Sequence, residues 1–196
     1  MCVDQFNILY LYSSVINPLK GGVQSVTYEL SNYFVSKNCC CYYLSKDKID
    51  GDNKMQFCLP DSSRFYNKVN IEFLLEFVKD KKINILINQG GISYDCSLLA
   101  YTVKAYGVKV ISCIHNSLLD TVRNFDILYY NKFKKYNLQK LLVLTRKDYI
   151  KEILYKLYYF KYSKHYRKLY ENSDKIVLLS DSFKKDLSFF VGDLSD

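Results

Sequence analysis

Short apolar runs alternate along the chain with stretches whose apolar residues recur at helical spacing. The short runs are apolar on both faces, which is typical of strands buried between two layers of helices. We predict strands over 6–12, 39–44, 55–59, 83–88, 108–114 and 175–179. We predict helices over 23–37, 71–81, 93–106, 148–170 and 182–191, while 138–144 fits a short helix or a strand. Gly107 should end the third of these helices, since glycine closes helices in the left-handed conformation.

This alternation of strands and helices predicts an α/β fold. The expected architecture is Rossmann-like: a doubly wound, mostly parallel sheet of about six or seven strands with helices on both faces. The runs 6–12, 83–88, 108–114 and 175–179 should be its buried central strands. A chain of 196 residues, 49% of them hydrophobic, is long enough to build one core, so we expect residues 1–196 to form a single domain.

The composition narrows the class of protein. A chain that is 16% aromatic, with 2 Pro and 7 Gly, is not disordered. No apolar run reaches the roughly 18 residues of a transmembrane helix, and the first residues lack the basic start of a signal peptide, so we expect a cytoplasmic protein. The 7 cysteines include the neighbours Cys39, Cys40 and Cys41 but no C-x-x-C pair. We expect most of them to pack as small hydrophobes and no metal site to form.

The positive charge is concentrated in one segment. Residues 131–168 carry twelve Lys or Arg and two acidic residues, whereas the rest of the chain is close to neutral. The predicted helix 148–170 combines an apolar face with Lys, Arg and Tyr, and His165 within it should lie at the surface. Such a helix fits a solvated face packed on the sheet, or an anionic membrane surface. Basic and aromatic residues also bind nucleic acid, but no readout motif is present and we expect no nucleic-acid partner.

Polar or glycine-rich segments follow four of the predicted strands. They are 13–22, 88–91, 115–116 and 180–181. The carboxyl ends of parallel strands share one edge, where α/β proteins bind ligands, so we expect these segments to gather there.

Two of these segments contain candidate functional residues. Gly21 and Gly22 precede the first helix and fit an anion at its N-terminus, although a turn that simply requires glycine is an alternative. His115, with Asn116 beside it, suits hydrogen bonding to a sugar or acid–base chemistry. A histidine that caps a helix or packs against it is the other interpretation.

Four stretches resemble the N-terminal half of family 4 glycosyltransferases, the retaining enzymes of the glycosyltransferase-B fold. They are FNILYLYSS with the following LKGGVQSVTYELSNYFVSKNCCCYYLS, then INILINQGG, VKVISCIHN and YENSDKIVLLSDSFKKDL. In order and spacing they are similar to the family's opening strand with its Gly-Gly and helix, its P-D-V-V-H strand, its strand ending in His, and its A-D-x-V-I-A-V-S segment. The resemblance covers nearly the whole chain.

The resemblance implies a two-domain enzyme in which this half holds a glycan or lipid-linked acceptor. The nucleotide-sugar donor would lie mainly on a C-terminal domain that the 196 residues do not contain, so the isolated chain should be inactive. The full-length protein would be a hexosyltransferase of polysaccharide biosynthesis, at the inner face of the membrane when the basic helix binds lipid. The alternative is a non-catalytic Rossmann-like binding or interaction module.

The resemblance also assigns roles to single residues. Gly21 and Gly22 would face the donor diphosphate, and His115 would lie at the reaction centre as the catalytic residue. Gln89, Asn116 and Ser180 would line the acceptor site or the cleft. No metal or cofactor is implied, because helix dipoles and basic residues stabilise the leaving diphosphate in this fold.

Overall fold

The computed structural model describes residues 6–47, 55–123 and 139–194, and the side chains within them except those of 121 and 139–151. The chain forms two compact units. The first comprises Met1–His115 with Glu171–Leu178, and the second comprises Asn116–Tyr170 with Leu179–Asp196.

The first unit is built on a parallel sheet, as the sequence predicts. Its strands are β1 (Asn7–Tyr12), β2 (Cys40–Ser45), β3 (Gln56–Cys58), β4 (Ile85–Asn88), β5 (Lys109–Ile114) and β6 (Lys175–Leu178). Every pairing is parallel and the spatial order is β3-β2-β1-β4-β5-β6. This is a Rossmann-like, doubly wound order, in which the direction of winding reverses between β1 and β4.

Four of the five predicted helices begin and end close to the predicted positions, whereas the helix predicted over 148–170 begins at Gln139 and the short helix Asp120–Arg123 was not predicted. The helices are α1 (Gly22–Ser36), α2 (Lys68–Asp80), α3 (Tyr94–Tyr101), α4 (Asp120–Arg123), α5 (Gln139–Asn172) and α6 (Asp181–Val191). A 3₁₀ turn over Thr102–Tyr106 extends α3, and Gly107 closes it in the left-handed conformation at φ 77°, as predicted. The segment 139–144 is helical, as the first part of α5, and residue 138 lies outside the described residues.

Alternate residues of each central strand contribute to two separate cores. Leu9 and Leu11 of β1 pack in a cluster with α2 and α3, represented by Leu74 and Leu99. Ile8 and Tyr10 pack in a second cluster with residues such as Tyr43 and Cys113. Cys41, Cys96 and Cys113 are buried in these cores as small hydrophobes, as expected, whereas Cys39, Cys40 and Cys58 are only half-buried. The strands are therefore apolar on both faces because both faces are covered.

The prediction for 175–179 as a buried central strand is wrong. Among the described residues β6 pairs only with β5, so it lies at the edge of the sheet, where Val177 is 45% exposed and Leu179 is also exposed. The other three predicted central strands correspond to β1, β4 and β5, which each have a strand on both sides. An apolar run indicates a strand but not its place in the sheet, since neighbours are decided by long-range pairing.

Helix α1 packs with the opposite chemistry from the one its sequence suggests. The buried residues are Thr27 and Ser31, whereas Val26, Leu30 and Tyr33 are exposed. The Ser31 hydroxyl hydrogen-bonds the hydroxyl of Tyr43, and the Thr27 hydroxyl donates to the Val23 carbonyl at 2.6 Å. Small hydroxyl side chains leave room beside the sheet for the large Tyr43 ring, so their polar atoms can be buried with partners.

The second unit contains α4, α6 and most of α5. His165 on α5 is only 6% exposed and lies 4.7 Å, ring to ring, from Tyr166, so the expectation of a surface histidine is wrong. Tyr166 packs in turn on Phe190 of α6 at 4.7 Å. The buried side of α5 therefore includes His165 together with its neighbour Tyr166. Among the described residues, no helix is both long enough and apolar enough to cross a membrane.

A buried carboxylate also lies within the second unit. Asp186 on α6 is fully buried and accepts hydrogen bonds from the Ser117 hydroxyl at 2.6 Å and from the backbone N–H of Leu119 at 3.4 Å. The guanidinium of Arg123, the last residue of α4, forms an ion pair with the same carboxylate. These contacts attach the short helix α4 to α6.

Candidate functional site

The carboxyl ends of β1, β2, β4 and β5 bring their following residues to one edge of the first unit. Ser13 follows β1, Lys46 follows β2, Gln89 follows β4, and His115 follows β5. The sheet is parallel throughout, so these residues share an edge, and the β1/β4 reversal point lies among them. Ligands of doubly wound proteins bind at this edge.

Gln89 and His115 form a direct hydrogen bond on this edge. The His115 Nε2 and Gln89 Oε1 atoms lie 2.6 Å apart, so the sequence-predicted pair is brought together by two neighbouring strands. An amide oxygen only accepts, so Nε2 carries the proton and Nδ1 keeps a lone pair in the neutral ring. Gln89 is buried and His115 is half-buried.

Burial sets the protonation state of this histidine. Desolvation lowers the pKa of His115 below its ordinary value of 6.5, because the charged imidazolium loses hydration that the site does not replace. The ring is therefore neutral at pH 7. A neutral imidazole fixed by one hydrogen bond can accept a hydrogen bond or a proton at its other nitrogen.

The turn that holds Gln89 is built by a buried amide. Asn88 donates from Nδ2 to the Ser97 hydroxyl at 3.1 Å, and its Oδ1 accepts from the Gly90 N–H at 3.0 Å and from the Cys96 thiol at 3.3 Å. A Cβ at Gly91 would lie 2.5 Å from the carbonyl oxygen of Cys113, so glycine is required where this turn crosses β5. Asn88, Gly90 and Gly91 therefore hold the backbone turn in which Gln89 lies.

Gly21 and Gly22 lie at the start of α1, after β1. Gly21 is its N-cap with φ 145°, a conformation that favours glycine, and no side chain caps this end of α1. Gly22 has open space where a Cβ would stand, and both glycines are exposed. The 15-residue helix therefore presents its N-terminal N–H groups without a side-chain partner, which suits an anion.

Asn116 and Ser180 belong to the second unit. Asn116 is exposed and directly follows His115 in the chain. Ser180 is the N-cap of α6, and its hydroxyl lies 2.8 Å from that of Ser182. Their proposed place at the acceptor site or cleft stays a prediction.

A cavity of about 290 Å³ opens on the same edge of the first unit. Its lining includes Ser13, Lys46, Arg64, Phe65, Ser93 and Asp95. Ser13 lies in the predicted edge segment 13–22, but sequence reasoning missed the other five residues. Lys46 could have been found, because it comes two residues after the predicted strand 39–44, but Arg64 lies in a loop without periodicity and carried no signal.

Within the described residues, no cluster of three or more His, Cys, Asp or Glu could hold a metal ion. No protein-family model matches this sequence, and no curated protein matches it.

Proposed function

We propose that this chain is the acceptor-binding half of a retaining glycosyltransferase of the glycosyltransferase-B fold. The full enzyme would transfer a sugar from a nucleotide-sugar donor to a glycan or lipid-linked acceptor. The observation that carries this proposal is the His115–Gln89 pair at the ligand-binding edge of a 3-2-1-4-5-6 sheet. The four resembling stretches support it, since three of them supply the strands and loops of this edge.

His115 is the proposed catalytic residue. Its neutral ring is oriented by Gln89, so Nδ1 can accept a hydrogen bond from a sugar hydroxyl near the reacting carbon. Because Gln89 is buried and extends directly from β4, the imidazole direction is set by the sheet. Gln89 is thus proposed as a positioning residue.

Gly21 and Gly22 are proposed to receive the diphosphate of the donor. The unprotected N-terminus of α1 offers backbone N–H groups and the positive end of a helix dipole. Open space around Gly22 leaves room for phosphate oxygens to approach the backbone. The nucleotide itself would be held by a second domain, and neither metal nor cofactor takes part in the proposed reaction.

The acceptor is proposed to be lipid-linked because of the exposed surface of α5. Ile153, Leu157 and Phe160 recur at helical spacing on this surface, and Phe160 is 77% exposed. The exposed residues Lys161 and Lys164 flank this stripe. An exposed apolar stripe flanked by lysines is typical of helices that lie at an anionic membrane surface.

The test is sugar transfer by the full-length gene product that contains this chain. Nucleotide sugars would be supplied with lipid and glycan acceptors, and products would be identified by mass spectrometry. His115→Gln should lower turnover by about 10²- to 10⁴-fold while the far-ultraviolet circular dichroism stays unchanged. Glu76→Gln, on the exposed side of α2, is the matched control and should retain full turnover. Equal turnover of H115Q and E76Q would remove the catalytic role, and absence of transfer with every donor would favour a non-catalytic binding module.

A further inference from the structure

We propose that the cavity beside β1, β2 and β4 binds the phosphate group of a phosphorylated sugar or polyol. This binding goes beyond the proposed function and does not depend on it, and the ligand is distinct from the lipid-linked acceptor proposed above. The cavity volume of about 290 Å³ is near the lower limit for small-molecule sites, which fits one sugar-sized ligand.

Two cations of the cavity lining are not neutralised by an ion pair. Lys46 follows β2 and Arg64 lies in the loop between β3 and α2, and within the described ranges neither forms a salt bridge. The Lys46 ammonium group lies 5.5 Å from the centre of the Phe65 ring, and Phe65 is buried. An ammonium group beside a buried ring is partly shielded from water, so its attraction for an anion is stronger than at an open surface.

One nearby carboxylate, that of Asp61, is hydrogen-bonded within its own loop, and a second one, that of Asp95, lines the cavity. Asp61 accepts hydrogen bonds from the Ser63 N–H at 2.8 Å and from Asn67 Nδ2 at 3.0 Å. Hydrogen bonds from the side chain and backbone of Ser63, together with the charge of Arg64, lower the pKa of the Asp61 carboxyl. Asp95 does line the cavity, in the first turn of α3. With Lys46 and Arg64 against Asp95, the lining keeps an excess positive charge. The single carboxylate suits sugar hydroxyls, which donate hydrogen bonds to it.

A buried amide holds the backbone of the Arg64 loop in place. Asn70 is fully buried, and its Nδ2 atom donates to the carbonyls of Asp61 and Arg64, both at 2.9 Å, and of Phe65 at 3.1 Å. Its Oδ1 accepts from the Asp61 N–H at 3.0 Å. Because the loop backbone is ordered before a ligand arrives, less entropy is lost on binding.

Phosphate is the anion that this combination of groups favours. A planar guanidinium and an ammonium group together offer several charged donors, and phosphate has three terminal oxygens to receive them. The hydroxyls of Ser13 and Ser93 add neutral partners in the same lining. A carboxylate has fewer acceptor oxygens and should bind more weakly.

The experiment measures binding to the intact chain by isothermal titration calorimetry. Probes are a hexose 1-phosphate, a hexose 6-phosphate, the uncharged hexose, a hexuronic acid and inorganic phosphate. At least one hexose phosphate should bind about tenfold or more tightly than the uncharged hexose, and its affinity should fall with salt. Equal affinity for phosphorylated and uncharged hexose would overturn the proposal, as would tighter binding of the hexuronic acid.

Variants distinguish binding in the cavity from non-specific attraction of an anion to a basic protein. Lys46→Gln and Arg64→Gln should each weaken hexose phosphate binding by about tenfold or more. Lys79→Gln is the control, since Lys79 is exposed in the last turn of α2, near the opposite edge of the sheet. Asp95→Asn should strengthen binding of inorganic phosphate but reduce the advantage of hexose phosphate over it. Equal weakening by K79Q and K46Q would overturn the proposal, and thermal melting of each variant checks that it is folded.

The same experiment distinguishes this proposal from the proposed function. A hexose phosphate that binds through Lys46 and Arg64, in a protein whose full-length form transfers no sugar, supports the cavity assignment and removes the transferase. If transfer proceeds unchanged in K46Q and R64Q and the wild-type chain binds no hexose phosphate, the transferase is supported and the cavity assignment is removed.

Discussion

The polar cluster of the second unit and the polar edge of the first unit differ in where their hydrogen-bonding capacity is directed. Asp186 is fully buried, and its oxygens are occupied by Ser117, Leu119 and Arg123 within the same unit. On the edge of the first unit, His115 is half-buried with Gln89 as its partner, and Lys46 and Arg64 line a cavity. A charge whose partners are all internal stabilises the fold, whereas charges directed toward a cavity are available to a ligand.

The largest expected effect is on the Asp186 cluster. Asp186→Ala should lower the free energy of unfolding of the second unit by about 3 kcal/mol, since Arg123 and Ser117 lose their partner. This is the lower end for a broken buried pair, because the Arg123 side chain is 39% exposed. Urea unfolding followed by circular dichroism measures it, with the exposed Asp181→Asn as control. A loss no larger than that of D181N would contradict a structural role.

The next effect concerns Asn70, which stabilises the first unit and also holds the loop that carries the cavity residue Arg64. Asn70→Ala should destabilise the first unit by about 1–3 kcal/mol, because backbone groups of the β3–α2 loop lose the hydrogen bonds of a buried amide. It should also weaken hexose phosphate binding, as the Arg64 backbone is no longer held. Val69→Ala, an exposed neighbour on α2, serves as control for both measurements. Unchanged stability in N70A would show that the loop does not depend on this amide.

A smaller effect is expected on the binding of membranes by α5 in the second unit. The chain should co-sediment with anionic vesicles at low salt and less at high salt, because the interaction is screened over about 8 Å at physiological ionic strength. Lys164→Gln should weaken this binding by about fivefold, and Phe160→Ser should weaken it through lost apolar contact. Lys79→Gln, on the first unit, is the control. Equal binding to neutral and anionic vesicles would leave α5 as a solvated helix.

The smallest effect is the pH dependence of the edge histidine. The pKa of His115 is lowered in the folded chain, so its contribution to stability is present above about pH 6.5 and is lost as pH falls through the folded-state pKa. Between pH 7 and pH 5 the wild-type chain should lose slightly more stability than His115→Gln. Urea unfolding at several pH values measures this difference, and a nuclear magnetic resonance titration should give a midpoint below 6.5. A midpoint above 6.5 would mean that the neutral ring is not favoured.

The candidate site could be predicted in part because parallel topology follows from local patterns. Apolar runs with intervening helices predicted that 88–91 and His115 share an edge, and the Gln89–His115 hydrogen bond agrees with that prediction. Gly21 and Gly22 lie at the helix start where the pattern placed them. The cavity was not predicted, since Arg64 and Phe65 come from a loop whose course is determined by the buried Asn70.

The sequence by itself determined most of the strands and helices, the parallel α/β class, and the closure of the α3 extension at Gly107, but it left 138–144 open and did not indicate α4. These depend on local backbone preference and on the apolar period, which each segment carries alone. Only the tertiary structure decided that β6 is an edge strand, that α1 buries Thr27 and Ser31, and that His165 is buried. Those outcomes depend on which distant segment covers each surface. The covering segment is determined by the free energy of packing the whole unit, so it does not follow from the sequence of any one segment.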